Sequence, residues 1–449
     1  MPIILNYIRR YLNRMELKFY KKLIKLMFAV ALILLTISNT QAQEIDLLLK
    51  GGHVIDPKNN INTKMDVAIV AGKIFKVAVD IPANTSKKTV NVSGLYVTPG
   101  FIDIHGHVFH GTEPDNYLSN GLEALPPDGF TFRSGVTTIV DAGGAGWKNF
   151  DIFKKNVIDV SQTRVLSFIN IVGEGMRDVV AYEQNTTDMD AKLTSSVANK
   201  YKSLIVGVKI AHYIGHNWSP TDKAVQAGTI ANIPVMVDFG KANPPLPLED
   251  LFMKHLRPGD IFTHVYRYDR EFGPNGKMIE HKQAIVDINT KKVKPFVFEA
   301  RKRGIIFDVG HGGGSFMWNQ AIPAMQQGFA PDVLSSDLHT GSMNGGFKDM
   351  TNLASKFLNI GMALPEVIAA STWKPATVIK RPELGNLSEG MEADIAVFNL
   401  RTGDFGFSDA DGIAISGKQK LEAELTIRRG KIVWDLNAIS SSPMPDNKY

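Results

Sequence analysis

Short runs of apolar and β-branched residues recur between residues 97 and 340, and each run is followed by a longer segment with room for a helix. The eight runs are 97–107, 136–142, 165–172, 204–211, 233–239, 260–265, 304–310 and 333–339. Continuous apolar runs are typical of strands buried on both faces, and a strand-then-helix repeat indicates a parallel sheet. The pattern predicts an α/β fold, a (β/α)8 barrel of the TIM type over residues 96–384, with its active site at the carboxyl ends of the strands.

Segments with a different pattern of apolar and glycine residues flank the predicted barrel. Residues 43–95 and 385–439 contain short strand-like stretches separated by glycine turns, a pattern that predicts antiparallel hairpins. We expect one small, discontinuous β-sandwich assembled from these two segments. The last residues, 440–449, contain two prolines among polar residues, and we expect a flexible tail.

The amino terminus has the pattern of a targeting segment. Seven basic residues precede the apolar run 26–35, and small residues follow at 40–42, which together predict a signal peptide over residues 1–42. The apolar run is about half of the roughly 20 residues that a membrane-spanning helix needs, so an uncleaved anchor is the alternative. We expect an exported, periplasmic protein without stable membrane association after cleavage.

The charge of the remaining chain is nearly balanced. Residues 1–42 contain seven of the 50 Lys and Arg residues and one of the 45 acidic residues, which leaves 43 basic against 44 acidic residues. No cluster of basic residues indicates a nucleic-acid partner. The chain contains no cysteine, which excludes disulfides, cysteine-zinc sites and a thiol nucleophile.

Candidate metal ligands lie at the ends of the predicted strands. His105 and His107 are two residues apart on the first strand, so they share a face with Asp103 and can hold one cation together. The pair alone names neither the metal nor the reaction. His264 ends the sixth run and Asp337 lies in the eighth. Taken alone, each residue is as compatible with a structural role as with a metal-binding one.

Lys209 lies at the inner end of the fourth, otherwise apolar, run. Burial makes an ammonium charge costly, and two interpretations remain open. The lysine pairs with an acid, or its lowered pKa allows it to capture carbon dioxide as a carbamate that acts as a carboxylate ligand.

Together, these positions resemble the amidohydrolase superfamily, the group of dihydroorotase, hydantoinase and urease. The pattern is His-x-His on strand one, Lys on strand four, His on strand six and Asp on strand eight. Supporting matches are residues 97–103, 372–376 and 385–394, and the resemblance covers nearly all of the chain after the targeting segment. Residues 207–209, 310–312 and 335–339 are most similar to the amidohydrolase/deacetylase subgroup, whose members remove acyl groups from small acids or amino acids.

The resemblance implies one or two divalent metal ions, with zinc expected. Their ligands would be His105, His107, Lys209, His264 and Asp337, with Lys209 open to carboxylation. It also implies deacylation of a small N-acyl or O-acetyl acid, an amide or ester, by a metal-bound hydroxide. Asp337 would act as the catalytic acid–base, taking a proton from water and passing it to the leaving group.

The chain departs from the family at strand five. Where a histidine ligand usually ends that strand, this chain has Asp238. Its carboxylate is expected to replace the histidine, because carboxylate oxygen also binds zinc. The alternative is that Asp238 only contacts ligands and that the second metal is weak or missing.

Substrate contacts are expected from loops at the barrel mouth, and the partner is a small molecule. The candidates are His212, Tyr213, His216, Tyr266, Arg267 and His311. Arg267 is suited to bind a substrate carboxylate in bidentate fashion, and a solvated loop charge is its alternative role. We also expect a homo-oligomer.

Three other functions remain open at this point. The same metal centre serves the opening of a cyclic amide, as in dihydroorotase or hydantoinase. A non-catalytic metal-binding barrel would not require the acid at Asp337 in addition to both histidines. A barrel lyase or isomerase for phosphorylated substrates would need a phosphate site after strands seven and eight, and the sequence gives no convincing one.

Overall fold

The computed structural model describes residues 1–37, 44–110, 124–176, 181–268 and 283–442. It divides into two compact units, Met1–Ile45 and Asp46–Tyr449. The first unit contains helix α1, Pro2–Ile37, and the predicted cleavage site at 40–42 lies outside the described residues. Along the described ranges, no helix has both the length and the apolar character needed to cross a bilayer.

Strands and helices alternate through the middle of the second unit. The strands are β1 (Leu47–Asp56), β2 (Ile61–Val70), β3 (Lys73–Ala78), β4 (Thr89–Asn91), β5 (Tyr96–Pro99), β6 (Phe101–Gly106), β7 (Val136–Ala142), β8 (Arg164–Asn170), β9 (Ile205–Ile210), β10 (Val235–Val237), β11 (Ile261–Phe262), β12 (Ile306–Phe307), β13 (Ile395–Ser408), β14 (Ala414–Arg428) and β15 (Lys431–Asp435). The remaining helices are α2 (Phe150–Phe153), α3 (Ala191–Lys200), α4 (Ser219–Ala231), α5 (Leu248–Asp250), α6 (Pro295–Lys302), α7 (Trp318–Gln326), α8 (Met350–Asn359), α9 (Leu364–Ser371) and α10 (Trp373–Val378).

Strands from both ends of this unit join one eight-stranded sheet. Its order is β15-β14-β13-β5-β1-β2-β3, and β4 pairs with β1. The antiparallel pairing of β13 with β5 joins the carboxyl-terminal strands to the amino-terminal ones. Val54, Val67, Val97, Val397 and Leu425 belong to one hydrophobic cluster of this sheet. The sheet is discontinuous in sequence, as predicted, while its division into two layers of a sandwich stays a prediction.

The central strands form a parallel sheet in the order β6 to β12. All residues of β6, β7 and β9 are buried, as continuous apolar runs predict. The predicted first run, 97–107, is divided: β5 belongs to the terminal sheet and β6 to the parallel sheet. Gly100 lies at this change, where a Cβ would lie 2.2 Å from Thr137 Oγ1, so only glycine fits without a shift of Thr137.

The eighth run, 333–339, connects the two edges of the parallel sheet. Val333 makes a parallel bridge to Asp308, just after β12, and Leu338 makes one to Gly106 at the end of β6. This is the place of an eighth barrel strand, although only single bridges form. The run therefore lies beside the end of β6, where the first two candidate ligands are.

Helix α8 contacts the terminal sheet. Asp349 caps the helix by accepting a hydrogen bond from Asn352 N, which satisfies one free amide of the first turn. From the next turn, the Ser355 hydroxyl oxygen accepts a hydrogen bond from Leu421 N of β14 at 2.9 Å. The buried face of α8 includes Lys356, whose Nζ lies 2.7 Å from His311 Nε2.

Candidate metal centre

The end of β6 and the eighth run are hydrogen-bonded to each other, which brings three predicted site residues together. Asp337 N donates to His105 O at 2.6 Å, and His107 N donates to Leu338 O at 2.8 Å. The side chains also meet, because His107 Nε2 lies 2.9 Å from Asp337 Oδ1 and His105 Nε2 lies 3.5 Å from the same oxygen. Residues 230 positions apart thus share one site.

Asp103 stabilises the contact between the end of β6 and the eighth run. Its Oδ1 accepts hydrogen bonds from Ser336 N at 2.9 Å and from His105 N at 3.2 Å. Burial raises the pKa of Asp103 to about 7, against the opposing effect of the hydrogen bonds from Ser336. Asp103 therefore holds β6 against the eighth run.

The orientation of His105 is fixed by a hydrogen-bond chain. Thr263 Oγ1 donates to Asp308 Oδ2 at 2.7 Å, so it accepts from the protonated Nδ1 of His105 at 2.8 Å. This leaves the lone pair of His105 Nε2 for another partner. Burial lowers the pKa of His105 well below its ordinary value, and the charge of Lys209 acts in the same direction. A neutral imidazole held by a second partner in this way is typical of metal-binding histidines.

Lys209 extends from β9 to the same nitrogen, and its Nζ lies 3.1 Å from His105 Nε2. The side chain is fully buried, and burial lowers its pKa against the opposing charges of Asp238 and Asp337. Gly143 makes room for it, because a Cβ there would lie 2.7 Å from Lys209 Cγ. The lysine thus lies beside the candidate ligands in a poorly solvated position.

His264 follows β11 and Asp337 lies within the eighth run, and both have left-handed backbone conformations, with φ of 60° and 50°. Such conformations are rare for residues other than glycine and are concentrated at functional sites. His264 Nδ1 donates to Gly310 O at 2.6 Å, which leaves Nε2 available. Gly312 accommodates the carboxylate, since a Cβ on it would lie 2.1 Å from Asp337 Oδ2.

These residues fit one divalent cation. His105, His264 and Asp337 are buried, and each offers a donor atom within 4.8 Å of the other two. Two imidazole nitrogens with one carboxylate oxygen are a donor set that zinc accepts. His107 contacts the same carboxylate. We therefore define His105, His107, His264 and Asp337 as the ligand cluster.

Asp238, the predicted strand-five ligand, lies directly after β10 with both oxygens occupied. Oδ1 accepts from Arg267 Nη1 at 3.1 Å, and Oδ2 lies 3.0 Å from His212 Nε2 and 3.5 Å from His264 Nε2. Burial would raise its pKa, but the neighbouring histidines hold that pKa well below its ordinary value. For His212, burial is outweighed by Asp238 and Glu183, which raise its pKa to about 10. A ligand role for Asp238 stays a prediction.

A cavity of about 410 Å³ opens above the ligand cluster. Of the six predicted substrate contacts, His212 and Arg267 line it. Tyr266 is fully buried instead, and its hydroxyl donates to Phe329 O at 3.1 Å. The structure therefore gives Tyr266 a packing position rather than a place at the mouth.

The other three candidates also lie away from the described wall of this cavity. His311 is fully buried, with Nε2 2.7 Å from Lys356 Nζ and its ring stacked on Phe316. Tyr213 lines a separate, smaller hollow. His216 is exposed, and its Nδ1 donates to a backbone carbonyl at 2.7 Å. Their predicted substrate roles gain no support from the geometry.

Several wall residues were not predicted. They include Lys241, Tyr268, His339 and Asp411. His339 is two residues after Asp337 and could have been found from that motif. Asp411 lies between β13 and β14 in the terminal sheet, and nothing in the local sequence indicates that this turn reaches the barrel mouth.

Sequence comparisons relate this chain to known hydrolases. Residues 317–433 match the amidohydrolase family. A deacetylase from Brucella anthropi is 30% identical over 348 residues, which cover 76% of this chain and 80% of that protein. A deacetylase from Enterococcus faecalis is 29% identical over 398 residues, covering 87% of this chain and 99% of that protein.

Solved structures with the same fold include an adenine deaminase and a dihydroorotase. The adenine deaminase has a TM-score of 0.77 and 27% identity, and the match covers 87% of this chain and all of the other, 100%. The dihydroorotase has a TM-score of 0.72 and 27% identity, and the match covers 87% of this chain and 99% of the dihydroorotase.

Proposed function

We propose that this chain removes the acyl group from a small N-acyl or O-acetyl acid. The chain belongs to the amidohydrolase superfamily and is a metal-dependent hydrolase of carbon–nitrogen bonds. The observation that carries the proposal is the position of Asp337. Its carboxylate contacts two histidines of the ligand cluster and faces a cavity of about 410 Å³. This position supports a general acid–base role for Asp337, since a water and a scissile bond in the cavity would lie beside its carboxylate.

A divalent cation, which we propose is zinc, would be held by the ligand cluster, where it would lower the pKa of a bound water and polarise the scissile carbonyl. Asp337 would take the proton of that water and deliver it to the departing nitrogen or oxygen. Burial raises the pKa of Asp337, but His105 and His107 outweigh it and hold the pKa below its ordinary value. The carboxylate is thus ionised and ready to accept a proton.

Lys209 is proposed to carry a carbamate. The reaction requires a neutral amine, and burial favours that form by lowering the lysine pKa. The Nζ–C bond forms as one C–O π bond of CO2 opens to give a carboxylate oxygen, and the proton that leaves the nitrogen passes to water. A carboxylated Lys209 would offer an oxygen that can bind the cation. Lys209 Nζ lies 3.1 Å from His105 Nε2, so this oxygen would lie close to the ligand cluster.

The wall of the cavity favours a small, anionic substrate. Arg267, Lys241 and His212 bring positive charge to the cavity wall, which also contains carboxylates. A guanidinium can bind a carboxylate through two parallel hydrogen bonds. The names of the deacetylases from Brucella anthropi and Enterococcus faecalis support acyl removal as the reaction.

The proposal is tested by substrate profiling of the purified protein. N-acyl amino acids, O-acetyl hydroxy acids and cyclic ureides are assayed before metal removal, after chelation and after zinc is added back. We expect turnover of an acyl substrate that disappears with chelation and returns with zinc. Full activity in the metal-free protein would contradict the proposed mechanism.

Opening of a cyclic amide is the second candidate. It is favoured by the dihydroorotase structure at a TM-score of 0.72 and by dihydroorotases such as that of Geotalea daltonii, 36% identical over 88 residues, or 19% of this chain. Turnover of cyclic ureides without turnover of acyl acids would select this reaction. Export to a periplasm and homo-oligomer formation stay predictions.

A further inference from the structure

The strand-five position is where this chain departs from the pattern of its family, and its carboxylate is enclosed by cations of the protein. Arg267 Nη1 lies 3.1 Å from Asp238 Oδ1, and His212 Nε2 lies 3.0 Å from Oδ2. The side chain of Asp238 is only 3% exposed and that of Arg267 only 12%. An ion pair this well buried is shielded little by water or salt.

The two cations are held in place by further contacts. His212 Nδ1 lies 2.8 Å from Glu183 Oε2, so both ring nitrogens of His212 face carboxylates and both act as donors. Gln184 Nε2 donates to His212 O at 2.9 Å, and Gln184 Oε1 accepts from Ile214 N at 2.9 Å. The 183–184 turn thereby fixes His212, whose φ is 54°, against Asp238.

From this arrangement we propose that the chain binds one divalent cation tightly rather than two, and that Asp238 serves as the internal anion for Arg267 and His212 rather than as a metal ligand. The inference rests on the proposed metal-dependent function. Three members of the ligand cluster, His105, His264 and Asp337, offer donor atoms within 4.8 Å of one another without Asp238, which lies 3.5 Å from His264 Nε2 through its Oδ2. A second ion in contact with Asp238 would lie beside a guanidinium and an imidazolium in a buried site, where like charges repel strongly.

The arrangement also explains how the site keeps positive charge without a second ion. Arg267 and His212 both line the cavity, and Asp238, which also lines it, contacts both of them. The wall that a second ion would occupy in a two-metal site is therefore formed by protein cations. They are suited to hold an anionic group of the substrate.

The test measures zinc bound per chain rather than turnover. The full-length protein is stripped with chelator, titrated with zinc by calorimetry, and its metal content is measured after desalting. Three variants are treated in the same way: Asp238→Asn, Arg267→Met and, as matched control, Arg257→Met. Arg257 also pairs with a buried aspartate, since its Nη2 lies 2.7 Å from Asp260 Oδ1, but it does not belong to the described cavity wall.

We expect about one tightly bound zinc in the natural protein, in Asp238→Asn and in Arg257→Met. Arg267→Met frees a carboxylate oxygen, so the affinity for a second zinc should increase at least about tenfold. Two tight ions in the natural protein, or loss of a tight ion in Asp238→Asn, would overturn the inference and leave the proposed function intact. The absence of any tight zinc in the natural protein would instead defeat the proposed function. The count for the natural protein decides the question even where a variant fails to fold.

Discussion

Asp337 Oδ1 lies 2.9 Å from His107 Nε2, across the junction between the eighth run and the end of β6. The contact joins the proposed acid–base residue to one of the two histidines that first indicated a metal site. It places the carboxylate beside the proposed ligands and toward the cavity. The two residues are therefore expected to act together in the reaction.

The first prediction concerns the charge of this carboxylate. Asp337→Asn keeps the shape but removes the proton acceptor, so kcat should fall by roughly 10²- to 10⁴-fold. Zinc content should persist, because histidines remain at the site. Steady-state kinetics and metal analysis check both statements. Asp404→Asn, on an exposed aspartate 89% accessible, is the control and should keep full activity. Substantial activity in Asp337→Asn would mean that another group moves the proton.

The second prediction concerns Gly312, whose φ is 52° and whose added Cβ would lie 2.1 Å from Asp337 Oδ2. Gly312→Ala should displace the carboxylate and reduce kcat strongly. Gly328 is the control, because it also has positive φ, 76°, and no atom of the described structure lies within 4 Å of an added Cβ. Gly328→Ala should show only the cost of the backbone conformation, about 1–2 kcal/mol of stability, with normal kcat. Equal kinetic effects of the two variants would contradict the clash with Asp337.

Much of the barrel is predictable because burial on both faces leaves a simple signature. Runs such as 136–142 and 204–211 are continuous and apolar, and they contain β7 and β9. The division of run 97–107 at Gly100 is harder to predict from the sequence. Both parts are apolar, and only the tight contact with Thr137 marks the change of sheet. The eighth run forms only single bridges, which its sequence does not reveal.

The spacing of His105 and His107 indicates a shared site by itself, but only the resemblance joins His264 and Asp337 to them, because Asp337 lies 232 positions after His105. The loop candidates divide, since His212 and Arg267 line the cavity whereas Tyr266 is fully buried. The left-handed backbone of His264, with a φ of 60°, lies two residues before Tyr266, and the local sequence does not reveal this turn. The pairing of Asp238 with Arg267 depends on how two separate loops fold, and no local pattern specifies it.

The third prediction concerns the hydroxyl that orients His105. Thr263→Val removes the acceptor of the Nδ1 proton while keeping the side-chain shape. Zinc affinity should fall about 10- to 100-fold, as measured by competition with a coloured chelator. Thr263→Ser should restore it. Thr194→Val is the matched control, because Thr194 is buried and its hydroxyl has no hydrogen-bond partner among the described residues. An unchanged affinity in Thr263→Val would show that His105 does not need this contact.

The fourth prediction concerns pH and the buried Lys356, whose Nζ lies 2.7 Å from His311 Nε2 and 2.7 Å from Gly346 O. Burial lowers the pKa of Lys356 to about 7, against a smaller opposing effect of Asp409. In the unfolded chain a lysine has a pKa of about 10.4, so between pH 7 and 10 the unfolded chain binds more protons than the folded protein. The contribution of Lys356 to stability must therefore increase with pH over this range.

Urea unfolding of the natural protein and of Lys356→Met between pH 6 and 10 measures this contribution. The free energy of unfolding of the natural protein, relative to the variant, should be flat below pH 7 and then rise by at most about 1.4 kcal/mol per pH unit. Lys302→Met, on a lysine 73% exposed, should show no such relative slope. A difference between the natural protein and Lys356→Met that is constant from pH 6 to 10 would mean that Lys356 stays charged in the folded protein, with His311 and Gly346 as sufficient acceptors.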